Sequence, residues 1–185
     1  MVLKKRFQQF CVGSSLIFLL ACANAQPSTH EVGLRVNLIE QAMDAVDATL
    51  GSGQEYFEIN ASDSLVNLFL ATDLDGLPNP DGLADATMHY VFTSQDGLDA
   101  APLPLAANGP TFTRVAVRFS AEKVLLKVMR ELPDSTSRLF VISAGGTAST
   151  PTGIVEYRVQ LNSSQGGEMS VLVTKDGDII GTDAS

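Results

Sequence analysis

Apolar positions along this chain fall into two different periods, each appearing twice. Val32, Val36, Ile39, Met43, Val46 and Leu50 recur at spacings of three and four, which lines them along one face of an α-helix. Ser28 and Glu31 form a Ser-x-x-Glu capping box at the start of that helix, and Gly51 stands where a C-cap belongs. Beyond Gly51 the period shortens. "EYFEI" (55–59), "SLVNLFLAT" (64–72) and "TMHYVFTS" (87–94) are rich in β-branched and aromatic residues and bounded by turn formers, so they predict strands. "DLDGLPNPDGLAD" predicts a loop between the second and third, and "QDGLDAAPLPLAANGP" a loop after them. "TFTRVAVRF" (111–119) alternates as a strand does. The helical period then returns: Ser120 is set to cap a helix carrying Val124, Leu125, Val128, Met129 and Leu132, stopped by Pro133. "RLFVIS" (138–143), "GIVEYRVQL" (153–161) and "EMSVLVTK" (168–175) follow as strands, and "KDGD" predicts an Asp-Gly hairpin turn into "DIIG".

The two passes share one order, helix then three strands, at a nearly constant offset. Leu50 and Leu132 lie 82 residues apart, Glu55 and Arg138 83, Met88 and Met169 81, and the pairs Asp96-Gly97 and Asp176-Gly177 80. This pattern predicts an α+β fold built from two halves, 26–108 and 109–185, each a helix on an antiparallel sheet, related by a degenerate internal duplication. The second half suggests a family. Its Tyr157-x-Val159 strand, Gly167-Glu168 turn, alternating strand and closing Asp178 to Ile180 resemble PepSY and PepSY-like domains of exported bacterial proteins, over about residues 120–182. The resemblance implies a cystatin-like unit with a helix across an antiparallel sheet. It also implies a non-enzymatic role, holding or inhibiting a peptidase or sensing an envelope ligand, and it supplies no catalytic residues. The first half departs from that pattern, with a long acidic loop between its second and third strands and no Tyr-x-Val.

Residues 1–25 read as a secretory signal: Lys4, Lys5 and Arg6, an apolar run from Phe10 to Leu20, then small residues. The run is shorter than the roughly 20 residues needed to span a bilayer. Two processing sites compete in "LLACANAQ". Cleavage after Ala25 releases a periplasmic or secreted protein. A lipobox ending in Cys22 leaves a membrane-anchored lipoprotein. Cys11 and Cys22 are the only cysteines, so the body from Gln26 onward carries no disulfide, thiol nucleophile or thiolate metal site.

Removing the three signal cations changes the charge picture. The remaining chain has 9 Lys and Arg against 21 Asp and Glu. Residues 26–108 hold one cation, Arg35, against 13 acids, whereas 109–185 hold eight of each. A field this negative excludes nucleic acid, whose binders are basic, and favours basic proteins or divalent cations.

Candidate chemistry is sparse. Asp73, Asp75, Asn79, Asp81 and Asp85 set oxygen ligands on a Gly-punctuated loop, the donor type calcium takes. The EF-hand order is absent, and Pro78, Pro80 and the glycines explain the same loop as a solvated turn. Ser120-x-x-Lys123, with Lys175-x-Gly177 and Ser62-Asp63-Ser64, echoes penicillin-recognising acyl enzymes, but the order is wrong and Ser120 reads better as an N-cap. His30 and His89 are isolated and do not make a metal pair. The strands "SLVNLFLAT" and "VEYRVQL" are candidates for a sheet edge that accepts a partner's extended segment. The expectation is therefore a non-enzymatic envelope protein without a cofactor. It binds or inhibits a protein or peptide partner, basic or a peptidase, through a sheet edge or its acidic surface. The alternative is a calcium-dependent structural or adhesion module using the 73–85 loop.

Overall fold

The computed structural model describes residues 34–74, 84–100, 104–145 and 154–184. Ser28, Glu31 and Val32 lie outside them. A 3₁₀ turn over Val36–Leu38 leads into α1 (Ile39–Leu50). Ile39, Ala42, Met43 and Val46 are buried on the predicted stripe, while the last position, Leu50, emerges 40% exposed. Gly51 takes φ 89° at the C-cap, a conformation that suits glycine. Four strands follow: β1 (Glu55–Ala61), β2 (Val66–Thr72), β3 (Ala86–Thr93) and β4 (Gly97–Ala100). Two short strands, β5 (Leu105–Ala106) and β6 (Phe112–Thr113), precede α2 (Ala121–Glu131). The chain then makes β7 (Ser135–Ala144), β8 (Val155–Ser163), β9 (Glu168–Val173) and β10 (Ile179–Ala184).

All these strands join one antiparallel sheet in the order β10-β9-β8-β7-β1-β2-β3-β4, with β5 beside β3 and β6 beside β1. The fold is α+β. Each helix is followed by a four-stranded meander, and the meanders meet through their first strands, Ile59 opposite Ile142 and Ala61 opposite Phe140. The strand order therefore reads the same outward from the β1–β7 seam in both directions.

Period-two alternation decides which side chains turn inward. Val66, Leu68 and Leu70 of β2, Phe140 and Ile142 of β7, Tyr157, Val159 and Leu161 of β8, and Val171 and Val173 of β9 are all buried. They form one cluster with Ile39, Met43 and Val46 of α1 and Val124, Leu125 and Val128 of α2, so both helices cover the same face. Val124, Leu125 and Val128 are fully buried, each contributing about 1.5–3 kcal/mol of transfer free energy. Phe119 adds an aromatic layer, its ring 5.2 Å from Phe140 and 4.8 Å from Tyr157.

Four expectations need correction. The 111–119 segment is not a continuous strand: β6 gives way to a 3₁₀ turn over Arg114–Ala116. β6 pairs antiparallel with β1, Thr113 opposite Glu55, the first residue of β1, so beyond Thr113 β1 offers no further partner and the chain leaves the sheet. Arg114 fixes the exit, bonding Asp47 at 2.6 Å and Asp44 at 2.5 Å on α1. The stretch expected as a loop after β3 contains β4 and β5, which pair along the outer side of β3. Ser120 stands at the N-cap of α2, but its hydroxyl makes no capping hydrogen bond. Finally, "SLVNLFLAT" and "VEYRVQL" are interior: β2 lies between β1 and β3, and β8 between β7 and β9. Their alternation reflects one face packed on helices and one open, which marks no edge by itself.

Candidate functional site

The two ends of the sheet differ. At one end β4 is four residues long, and Asp99 stands on it; shortness and charge are the usual means of blunting an edge. At the other end β10 runs six residues, pairs with β9 on one side only, and has no strand on its outer side among the described residues. Its register shifts between Ile179 and Gly181. The bulge leaves Ile180 62% exposed, an unusual position for a β-branched apolar side chain on an open edge.

Ile180 borders a recess of about 480 Å³ that also meets Ile154, Val155, Tyr157, Leu172 and Val173. Arg118 and Lys175 stand on the rim of this recess and continue into a second one of about 400 Å³, which Phe119, Ser120, Lys123 and Asp176 complete. An apolar hollow and a cationic hollow thus share a wall at the start of β10.

The cations are held there by backbone. Lys175 sits in the β9–β10 turn, closed by Gly177 N–H to Thr174 carbonyl and Thr174 N–H to Asp178 carbonyl, both 2.9 Å. Gly177 has φ 86°, and a Cβ on it would meet the Val124 Cα of α2 at 3.1 Å, so the turn presses directly on the helix. An ion pair between Lys127 of α2 and Asp178 fastens it and holds the Asp178 carboxyl below the ordinary carboxylate range. Arg118 is positioned by its own chain: its Nε donates to the Val115 carbonyl at 3.2 Å and its backbone N–H to the Tyr157 hydroxyl at 3.2 Å. Burial pushes the Tyr157 phenol up, opposed by that N–H and by the charge of Lys175. Lys175 also contacts its neighbour Asp176 at 2.7 Å. The other carboxylate on the apolar recess, Glu156, is engaged by Arg158 at 3.1 Å.

The sheet face opposite the helices carries a polar row. Asn60 donates to Glu58 at 2.7 Å, Asn67 donates to Asn60 at 2.8 Å, and His89 Nε2 bonds the Asn67 carbonyl oxygen at 2.9 Å. With the Asn67 amide nitrogen directed at Asn60, its oxygen accepts, so His89 donates. The imidazole stacks on Phe69 at 4.6 Å and 5°. This row ties β1, β2 and β3 together and accounts for His89 as a satisfied residue.

The candidates raised by the sequence separate. Among the proposed calcium ligands, Asp75, Asn79 and Asp81 lie outside the described residues, as do Cys22 and His30. Asp73 follows β2, while Asp85 Oδ1 accepts the Leu74 N–H at 2.8 Å and so closes the base of the loop. Among the described residues no group of three His, Cys, Asp or Glu side chains converges. Ser120, Lys123 and Lys175 do share one recess. Ser62 does not join them, because its hydroxyl accepts the N–H groups of Ser64 and Leu65 in the β1–β2 turn. No helix of the described residues is long and apolar enough to cross a membrane.

Sequence reasoning passed over Arg118, Ile154 and Ile180. The signal available was the pile-up of cations after Gly109, but only the press of Gly177 on Val124 brings residue 175 beside residues 118 and 123. Compared with protein-family models, curated proteins and solved structures, the chain matches none of them.

Proposed function

We propose that this chain is an exported, non-enzymatic binding protein that takes an extended segment of a partner onto the outer edge of β10, holding or inhibiting the protein that carries it. The observation behind this reading is the open side of β10, six residues long, with exposed Ile180 beside an apolar recess. An unpaired edge offers a row of N–H and C=O groups that an incoming strand satisfies, while a neighbouring hollow selects its side chains. The acidic 26–108 half draws basic partners at long range. Export rests on residues 1–25. We also read the two helix-plus-meander halves as a degenerate tandem of cystatin-like, PepSY-like units. The strand order mirrored about the β1–β7 seam and the matching hairpins at Gly97 and Gly177 support that reading.

The test is hydrogen exchange on residues 26–185 with a pool of N-acetylated hexapeptides rich in Val, Ile and Thr. Protection concentrated on the amides of 179–184 is expected. Protection confined to β4 or to the open sheet face would overturn the proposal. Prolines at Thr182 and Asp183 sharpen it, because successive N–H groups of an antiparallel strand point to opposite sides. One of T182P and D183P removes only an outward N–H, and that variant should lose binding while melting as the parent does.

A further inference from the structure

The start of β10 carries more than an open edge. Resting on the peptide-edge reading above, we propose that this site recognises the C-terminal end of its partner: a free carboxylate held by Arg118, Lys123 and Lys175, with the last apolar side chain in the recess beside Ile180.

Strand direction decides which end of a docked peptide reaches the turn. β10 runs from Ile179 to Ala184, away from the turn that carries Lys175. A peptide that adds antiparallel to it runs the other way, so its C-terminus arrives at the turn. A peptide that adds in parallel brings its N-terminal ammonium to the same place. Three cations around a single recess distinguish the two: they attract a carboxylate and repel an ammonium. Polarity and register are therefore set by one charge contact.

The charges are available for this work. Among the described residues Lys123 has no carboxylate partner, and the Arg118 side chain bonds only a backbone carbonyl. Lys175 touches Asp176, a contact between two side chains both more than 60% exposed, which is worth little in water. Of the other five cations of this half, four are paired, Arg114 to Asp44 and Asp47, Lys127 to Asp178, Arg138 to Glu168 and Arg158 to Glu156, and the fifth, Arg130 in the last turn of α2, lines neither recess. In a chain this acidic, a grouping of weakly committed cations is matched to an anion. The adjoining hollow of about 480 Å³ has room for a large apolar side chain next to that anion. A charge-assisted contact shared among three cations improves affinity by about tenfold over the neutral equivalent.

The experiment uses residues 26–185 and two fluorescent hexapeptide pools ending in Val, Leu, Ile or Phe, one with a free C-terminus and one amidated. Fluorescence anisotropy measures affinity and hydrogen exchange reports the site. The free-acid pool should bind at least about tenfold tighter, and in K123A/K175A the two pools should bind with about equal affinity. Both substitutions lie on exposed side chains, and thermal melting verifies that the variant folds. Equal affinity of the two pools with protection on β10 overturns the C-terminal reading and leaves the edge reading standing. Failure of both pools to bind overturns both. Selective binding of the acid pool that K123A/K175A leaves intact overturns the assignment of these cations.

Discussion

Replacing Tyr56 by Phe tests how completely the core closes beneath α1. Tyr56 is fully buried in β1, its ring 5.7 Å from Phe112, and its hydroxyl has no hydrogen-bond partner among the described residues. Burial, reinforced by the charge of Asp47 and opposed by Arg114, pushes its phenol up to about 12 from an ordinary value of 10.0. Two effects follow. Near neutral pH, deleting an unsatisfied buried hydroxyl removes a desolvation cost, so Y56F should be more stable by about 1 kcal/mol. At high pH the unfolded chain ionises first. A raised folded-state pKa gives stability that is complete below pH 10 and lost as pH rises through 12. At pH 11 that loss is about 1.4 kcal/mol, approaching about 2.7 kcal/mol at full ionisation. Urea unfolding of parent and Y56F at pH 7 and pH 11 separates the effects, because lysines and the other tyrosines cancel in the difference. The advantage of Y56F should widen by about 1.4 kcal/mol between the two pH values. A constant difference would show that the hydroxyl reaches water. A destabilised Y56F at pH 7 would show that it has a hydrogen-bond partner.

Two further predictions concern the hairpins and the polar row. Gly97 and Gly177 both have positive φ, but only at Gly177 does an added Cβ meet another element. G97A should therefore cost about 1 kcal/mol of backbone strain and G177A about 2–4 kcal/mol, read from urea midpoints; equal losses would mean that the β9–β10 turn does not press on α2. N67A breaks the row between His89 and Asn60 and leaves the Asn60 amide, 8% exposed, without its donor. A loss of about 1–2 kcal/mol is expected, with N60A and N67A coupled in a double-mutant cycle, and independent losses would remove the row as a unit.

The elements were legible because their periods are clean. Val124, Leu125 and Val128 could only form a buried stripe on a helix, and Asp176-Gly177 could only close a tight turn. What stayed hidden depends on contacts between distant residues. The alternation of 111–119 predicts a strand correctly by its own terms, but β1 starts at the residue opposite Thr113 and offers the rest of the segment no partner. The edge assignment failed for a related reason: β2 and β8 alternate because the sheet has one covered face, and alternation is blind to which strand lies last. The recess at β10 was the least visible. Lys175 and Ile180 share the β9–β10 hairpin while Arg118 precedes α2, and only the packing of that turn on α2 brings the three together.

The two halves clarify why the sheet should work at one end only. On the reading of related halves, counting back 82 residues from Arg118 and Lys123 reaches Val36 and Gln41, and counting back 80 from Lys175 reaches Gln95. All three positions are uncharged. The turn chemistry itself is shared: Thr93 Oγ1 accepts the Asp96 N–H at 2.9 Å, and Thr174 Oγ1 accepts the Asp176 N–H at 3.3 Å and the Asp178 N–H at 3.0 Å. The same hairpin thus occurs at both ends of the sheet, and what distinguishes them is charge and edge length. At the first end β4 is short and the surrounding half strongly acidic, an arrangement that discourages a carboxylate from docking. At the second, three cations and a longer edge invite one. Under the proposed recognition, an acidic body with one cationic corner would also orient an approaching chain, a basic segment toward the first half and its carboxylate end toward the second. On the proposed reading, the charge difference between the halves, rather than their shared order of elements, would be the source of specificity.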